Sequence, residues 1–233
     1  MNYIIWNDRD SRDINGLLIC ELPPITKPQM RVKETAIDGV DGSIIEELGY
    51  ESYDKTIAVA LKIGADVDEI IEYFTGNGKI VFSNEPNKCY IASITKGIEY
   101  ARLLRYRTAK ITLRVQPFKY DNEEFDIYAD AQRQDITVVN DGNYFSKPII
   151  TIEGEGTVVL SVNDTVVCQY TFPEGENTVT LDSEKQDAYL DSIKSLRNRA
   201  MIGEFPILRK GANVISWSGT VEGIRIKRYS RWL

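Results

Sequence analysis

The 233-residue sequence contains no histidine, and this absence narrows the chemistry open to the protein. Histidine is the commonest general base, the commonest metal ligand and a member of the usual catalytic triads. The three cysteines, Cys20, Cys89 and Cys168, lie far apart, with neither metal-ligand spacing nor a CxxC pair. We therefore expect no metal, no cofactor and no enzymatic activity, and we interpret the cysteines as small buried hydrophobic residues.

The sequence also lacks long apolar runs and a cluster of basic residues of the kind that binds nucleic acids. The longest apolar run is far below the eighteen or so residues of a membrane-spanning helix, and the N-terminal residues do not resemble a secretory signal. The net charge of −7 is spread over both halves, whereas binding to a nucleic-acid backbone requires clustered basic residues. Arg225, Lys227, Arg228 and Arg231 form a local exception, which we interpret as either a solvated strand face or a partner-binding edge.

The second half of the chain, residues 126–233, predicts an all-β domain. Short alternating segments recur at roughly ten-residue spacing between Asn, Asp and Gly turns, which is typical of a sandwich or jelly roll. We predict a turn at residues 153–156, between strands at 149–152 and 158–162. Residues 203–233 predict a closing hairpin that turns at Ser218 and Gly219, with Ile224 and Ile226 buried on its last strand.

The first half, residues 1–125, predicts an α+β domain with one helix packed on a sheet. The helix is expected at residues 66–74, with Asp66 as its N-cap, and a long strand is expected at 107–115, ended by Pro117. Residues 23–54 are polar, with two extended segments around a Gly-rich turn at 37–42. They form either a mobile surface loop or an arm that folds onto another subunit, and their length favours the arm.

Several motifs together resemble the distal tail protein family of long-tailed, siphovirus-type phages and prophages. The resemblance covers nearly the whole chain and depends on the order and spacing of turn motifs. These motifs are Pro23-Pro24, Ile37-Asp38-Gly39-x-Asp41-Gly42, Asn140-x-Gly142, Ser146-x-Pro148-x-Ile150-x-Ile152-x-Gly154-x-Gly156, Gly203-x-Phe205-Pro206-x-Leu208-x-x-Gly211-x-Asn213-x-Ile215 and Arg231-Trp232.

The resemblance implies a structural component of the phage tail tip or baseplate hub. In that family the N-terminal domain and its arm form a hexameric ring, and the C-terminal domain is a galectin-like β-sandwich outside the ring. The ring connects the tail tube protein to the tail-associated hub or lysin protein. Tape measure and receptor-binding proteins are further possible partners. The expected location is the distal end of the tail in the virion, after assembly in the bacterial host cytoplasm, with no membrane partner.

Carried over by position, the resemblance implies an inter-subunit arm at about residues 26–54. Its contact residues are Met30, Val32, Ile37, Asp38, Gly39, Val40, Asp41, Gly42, Tyr50 and Tyr53. DNA is expected to pass through the ring lumen without specific binding, because an acidic lumen repels phosphates. Candidate lumen acids are Asp8, Asp10, Asp13, Glu46 and Glu47.

Two alternatives come from other classes of function. The first is a lectin-like module that binds host cell-wall polysaccharide, in which Trp217 stacks on a sugar; core packing is the competing interpretation of this residue. The second is a glycosidase that uses the paired acids Glu153 and Glu155, although acids in a turn are usually only solvated.

Overall fold

The computed structural model describes residues 1–39, 41–98, 105–123 and 125–233. The chain divides into two compact units, Met1–Asn122 and Glu123–Trp232. Each unit has a hydrophobic core of its own. Both are mostly β, as the sequence predicted.

The first unit is built on an antiparallel sheet with one helix packed into the same core. Its strands and helix are β1 Ile4–Trp6, β2 Arg9–Asp10, β3 Leu17–Glu21, β4 Met30–Ala36, β5 Ser43–Tyr50, β6 Tyr53–Leu61, α1 Val67–Tyr73, β7 Asn77–Phe82, β8 Lys88–Ser93 and β9 Thr108–Asp121. The main sheet has the order β2-β1-β7-β8-β9-β6-β3, and β4 and β5 form a separate sheet.

The predicted helix and its N-cap are confirmed. The Asp66 carboxylate accepts hydrogen bonds from the amides of Asp68 and Glu69, which would otherwise lack partners in the first turn. Val67, Ile70 and Tyr73 are buried, and this stripe joins the core formed by the inward residues of β6 and β9.

The prediction that Pro117 ends the long strand of the first unit is wrong. Strand β9 continues to Asp121, and its pairing with β8 shifts register between Tyr90 and Ala92, opposite the segment that contains Pro117. Proline has no amide hydrogen for a regular ladder, and an irregularity in pairing is where a strand tolerates it.

The second unit is one curled antiparallel sheet. Its elements are β10 Asp126–Asp130, β11 Asp135–Asn140, β12 Ile149–Val162, β13 Thr165–Thr171, β14 Thr178–Asp182, β15 Asp187–Tyr189, the 3-10 turn Asn198–Ala200, β16 Met201–Gly203 and β17 Gly211–Lys227. The short strand β18 Arg231–Trp232 follows β17 and is not part of this sheet. The two long strands β12 and β17 pair along most of their length. At one end they are flanked by β10, β14 and β15, and at the other by β11, β13 and β16. The inward residues of both ends share one core, which gives the expected sandwich.

Two predicted turns in this unit are instead bends within continuous strands. Residues 153–156 belong to β12, and Ser218 and Gly219 belong to β17, so the predicted closing hairpin is wrong. The pairing of β12 with β17 shifts register between Glu153 and Gly154 and again between Glu155 and Val159. Glycines and bulges allow a strand to bend from one half of a sandwich into the other, so the same residues serve a bend as well as a turn.

Gly219 shows why these bends require glycine. Its φ is 104°, and a Cβ atom there would lie 2.3 Å from the carbonyl oxygen of Thr157 on β12. We expect Gly219→Ala to lower the free energy of unfolding of the second unit by at least about 2 kcal/mol, because backbone strain and a backbone clash add together. The matched control is Gly175→Ala, since Gly175 has a φ of 81° but no atom within 4 Å of the added Cβ. Urea unfolding of both variants checks this, and equal losses of stability would contradict it.

The cysteine interpretation holds for two of the three residues. Cys89 and Cys168 are buried, whereas Cys20 is exposed, so its assignment to the core is wrong. Burial raises the pKa of the Cys168 thiol to about 11, which keeps it protonated and unreactive. Among the described helices, none is long and apolar enough to cross a membrane.

Candidate functional site

Strands β4 and β5 form a two-stranded antiparallel hairpin, which we call the arm hairpin (residues 30–50). It corresponds to the two extended segments predicted around a Gly-rich turn. Ala36 pairs with Ser43 at its tip, where Gly39 and Gly42 have φ values of 81° and 93°. The left-handed region suits glycine, which explains the Gly-rich sequence of the turn. Val40, one of the predicted contact residues, lies outside the described residues.

The arm hairpin contains a β-bulge near its base. The register shifts between Met30 and Val32, so that β5 holds an extra residue at this point. Gly49 is in the bulge with a φ of 96°, and the guanidinium of Arg31 donates a 3.0 Å hydrogen bond to the carbonyl oxygen of Leu48. Bulges bend and twist a hairpin and fix its register.

Beyond its base, the arm hairpin is exposed on both faces. Every residue of β4 after Met30 and of β5 before Tyr50 is exposed. Large aliphatic side chains are among them: Val32, Ile37, Ile44, Ile45 and Leu48 are each 42–59% accessible. A two-stranded hairpin on its own is marginally stable in water, and exposed apolar surface of this kind is typical of an interaction site.

The register divides the side chains between two different faces. On one face Val32 is opposite Glu47 and Glu34 is opposite Ile45, so this face carries both aliphatic and acidic side chains. On the other face Thr35 is opposite Ile44, and Lys33 is opposite Glu46 with an exposed ion pair of 3.4 Å. Of the predicted contact residues between Ile37 and Gly42, all of those described are exposed.

The base of the arm hairpin, together with residues 23–29 that lead into it, is held to the rest of the first unit by side-chain contacts. The Lys55 ammonium donates to the carbonyl oxygen of Pro24 at 2.7 Å, and the Asn84 amide donates to that of Pro23 at 3.2 Å. The Tyr50 ring packs edge-on against Phe118, with 5.9 Å between centroids. A fixed base with an exposed tip gives the hairpin a defined direction.

A buried charged cluster lies directly behind this base. The Glu85 carboxylate accepts hydrogen bonds from the Tyr90 hydroxyl at 2.7 Å and from the Lys119 ammonium at 2.9 Å. Lys55 is 3% exposed, and its ammonium lies 5.0 Å from the centroid of the Tyr90 ring. Lys119 is therefore in direct contact with the carboxylate, the ammonium of Lys88 lies 3.9 Å from it, and Lys55 interacts with it through charge alone. This cluster was not predicted from the sequence. The one indication in the sequence was that Lys55 precedes Ile57 by two residues on β6, so that both side chains point to the same, buried face of the strand.

The pKa values of Lys55 and Glu85 are shifted by burial and by the neighbouring charges and hydrogen bonds. Burial lowers the pKa of Lys55 to about 8, against the opposing effect of Glu85. Burial also pushes the pKa of Glu85 upward, but the hydrogen bonds from Tyr90 and Lys119 outweigh it, so the net shift is downward. The cluster thus keeps its carboxylate ionised, and its structural role is to hold β6, β8 and β9 together at the base of the arm hairpin.

The other predicted site residues lie elsewhere and do not form a second site. Trp217 is 6% exposed and packs in the core of the second unit, so stacking of its ring on a sugar is wrong. Glu153 and Glu155 are exposed on β12. Of the candidate lumen acids, Asp10 pairs with Arg12 at 2.6 Å and Glu46 pairs with Lys33, which reduces their repulsion of an anion. In the described ranges no group of three or more Cys, Asp or Glu side chains is arranged to hold a metal ion.

Comparison with known proteins finds solved structures that have a similar fold. No protein-family model matches the chain, and no curated protein matches it. Among solved structures, the chain is similar to SPP1 Dit (gp 19.1), described as a paradigm of the hub adsorption apparatus in phages that infect Gram-positive bacteria. The TM-score is 0.68 at 16% identity, over 100% of both chains. It is also similar to a chain of the phage p2 baseplate in its activated conformation, with a TM-score of 0.50 at 8% identity over 96% and 97% of the two chains. This likeness confirms, at the level of the fold, the resemblance to distal tail proteins.

Proposed function

We propose that the protein is a structural hub component of a phage tail tip or baseplate, and that six copies assemble into a ring through the arm hairpin. The observation that best supports this proposal is the arm hairpin itself. Its base is held to the first unit, its surface is exposed and partly aliphatic, and its two strands pair with no other strand of the described chain. The fold it shares with SPP1 Dit supports the same function.

In this proposal the contact residues of each arm are those of the hairpin and its base: Met30, Val32, Ile37, Asp38, Gly39, Val40, Asp41, Gly42, Tyr50 and Tyr53. Burying an isoleucine side chain against a neighbour stabilises the contact by about 1.5–3 kcal/mol. Ile44 and Ile45, on opposite faces, add to the contact residues predicted from the sequence. A head-to-tail contact of this kind closes into a ring when its rotation is a simple fraction of a turn.

The ring joins the tail tube protein on one side to the tail-associated hub protein on the other, in the virion at the distal end of the tail. Tape measure and receptor-binding proteins are further partners in this proposal. DNA passes through the lumen without being bound, since the chain has a net charge of −7 and a bound backbone would require basic contacts. The role requires no catalytic group.

The test is the mass of the purified full-length chain in solution. We expect a species of six chains, each of 26.5 kDa, at micromolar concentration in sedimentation velocity and native mass spectrometry. A concentration-dependent mixture of monomer and hexamer also agrees with the proposal. A chain that remains monomeric at all concentrations, alone and with a tail tube or hub protein, would overturn it.

A further inference from the structure

The second unit carries a groove that the proposed function does not use. It lies on the outer face of the sheet half formed by β17, β12, β14 and β15, and it has a volume of about 250 Å³. The inner face of the same strands is buried, with Ile150, Leu181, Ala188 and Ile226 all fully inaccessible. Side chains alternate across a strand, so the residues between them point away from the core and into the groove.

One row of side chains crosses all four strands at the same level. Arg225 is paired with Thr151, Thr151 with Thr180, and Thr180 with Tyr189. Neighbouring strands are about 4.8 Å apart, so the row extends over about 14 Å from Arg225 on β17 to Tyr189 on β15. Within it the hydroxyl oxygens of Thr151 and Thr180 lie 3.2 Å apart. The row offers a planar cation, two hydroxyls and an aromatic ring in sequence.

The backbone at the edge of the groove is strained. Tyr229, which lines the groove, has a φ of 45°, a left-handed conformation that is unusual for a bulky residue. Its neighbours anchor it: Arg228 forms a 2.6 Å ion pair with Asp141, and the Ser230 hydroxyl accepts a hydrogen bond from the Asp141 amide. Strain that neighbouring contacts maintain is characteristic of binding sites.

The charges of the groove select among classes of ligand. Arg225 and Lys227 bring two positive charges, Asp191 brings a negative charge, and Asp126 lies 3.9 Å from Lys227. This near-balance disfavours a polyanion, which requires a clustered positive surface, and the two cations disfavour a cationic ligand. Within the described part of the chain the Arg225 guanidinium has neither a hydrogen bond nor an ion pair, so its donors are available.

We infer that this groove binds an uncharged saccharide. A sugar ring presents hydroxyls that both donate and accept, and the groove supplies donors in Arg225 and Lys227, an acceptor in Asp191, and both in the threonine hydroxyls. The Tyr189 and Tyr229 rings supply apolar surface with a polar tip. The groove is smaller than an enclosed small-molecule pocket of ~300–1,000 Å³, so it fits a short stretch of a glycan chain held weakly. The site lies within the second unit and does not depend on ring formation.

The test is a glycan array with neutral and acidic glycans, followed by saturation-transfer difference NMR titration of the strongest neutral ligand. We expect saturable binding of at least one neutral glycan. Arg225→Gln should weaken it by about tenfold or more, because it removes a charged donor, and Tyr189→Leu by about threefold or more. The matched control is Lys210→Gln, which removes the same charge from an exposed residue outside the groove and should change affinity by less than about twofold.

Three outcomes would overturn the inference. These are the absence of binding to any neutral glycan, binding that Arg225→Gln leaves unchanged in a variant with wild-type circular dichroism, and selective binding of acidic glycans that inorganic phosphate displaces. The mass of the chain is measured in the same samples. A chain that binds sugar but remains monomeric at all concentrations, alone and with a tail tube or hub protein, would contradict the ring and leave the groove supported. A hexamer without sugar binding would contradict the groove and leave the ring supported.

Discussion

Replacing Ile44 and Ile45 together by lysine is expected to convert the proposed hexamer into monomers while both units remain folded. The two side chains are each 59% exposed and lie on opposite faces of the arm hairpin, so the double variant places a charge on whichever face a neighbouring subunit covers. Each contact loses the burial of an isoleucine, about 1.5–3 kcal/mol, and gains the desolvation penalty of an ammonium group. Sedimentation velocity at matched concentration measures the shift.

The control for this experiment is Ile63→Lys. Ile63 is 96% exposed in the turn between β6 and α1, outside the arm hairpin, so the substitution adds a charge in place of an isoleucine that is even more exposed than Ile44 and Ile45. We expect this variant to assemble like the wild type. A hexameric Ile44→Lys, Ile45→Lys variant would contradict the role of the arm hairpin, and the two single variants would identify the face that the neighbour covers.

Glu85→Gln is expected to destabilise the first unit by about 3–5 kcal/mol. The substitution removes the carboxylate that accepts from Lys119 and Tyr90, and it leaves Lys55 and Lys119 as buried cations without a countercharge. The side chains of Lys119 and Glu85 are only 6% and 11% exposed, and breaking a buried pair by removing one partner carries a penalty of this size. Urea unfolding followed by circular dichroism, with the two units resolved, provides the measurement.

The matched control is Glu46→Gln, which removes the carboxylate of the Lys33–Glu46 pair on the arm hairpin. Both of those side chains are at least 60% exposed, so we expect a change of no more than about 1 kcal/mol. Adding Lys119→Met to Glu85→Gln should recover part of the lost stability, because it removes one of the uncompensated cations. If the two glutamate variants have equal effects, the cluster does not contribute as a buried network.

Local features of the fold were predictable because their causes are local. The N-cap at Asp66 depends on a carboxylate within two or three residues of the amides it accepts from. The Asn163-Asp164 turn between β12 and β13 has φ values of 51° and 63°, as a two-residue hairpin requires, and Asn and Asp tolerate this conformation. The long strand predicted at 107–115 likewise follows from local alternation, and Ile111 and Leu113 lie on the buried side of β9.

Bends and turns, by contrast, have the same sequence signature. Gly154 and Gly219 were interpreted as turn residues, but a carbonyl oxygen of the partner strand approaches each of them so closely that a Cβ atom would lie 2.3 Å away. This approach exists only when β12 and β17 are already paired over most of their length. Local sequence therefore identified glycines with a special role, and pairing between distant strands decided what that role is.

By itself, the sequence determined the two halves of the chain, their β-rich character and the extended, Gly-turned segment of the arm hairpin, because periodicity and turn chemistry act over a few residues. The tertiary structure alone decided which side chains meet: the cluster of Lys55, Glu85 and Lys119, the burial of Trp217, and the row from Arg225 to Tyr189. Those contacts join residues separated by tens of positions, and only the strand order and register of the folded sheets bring them together.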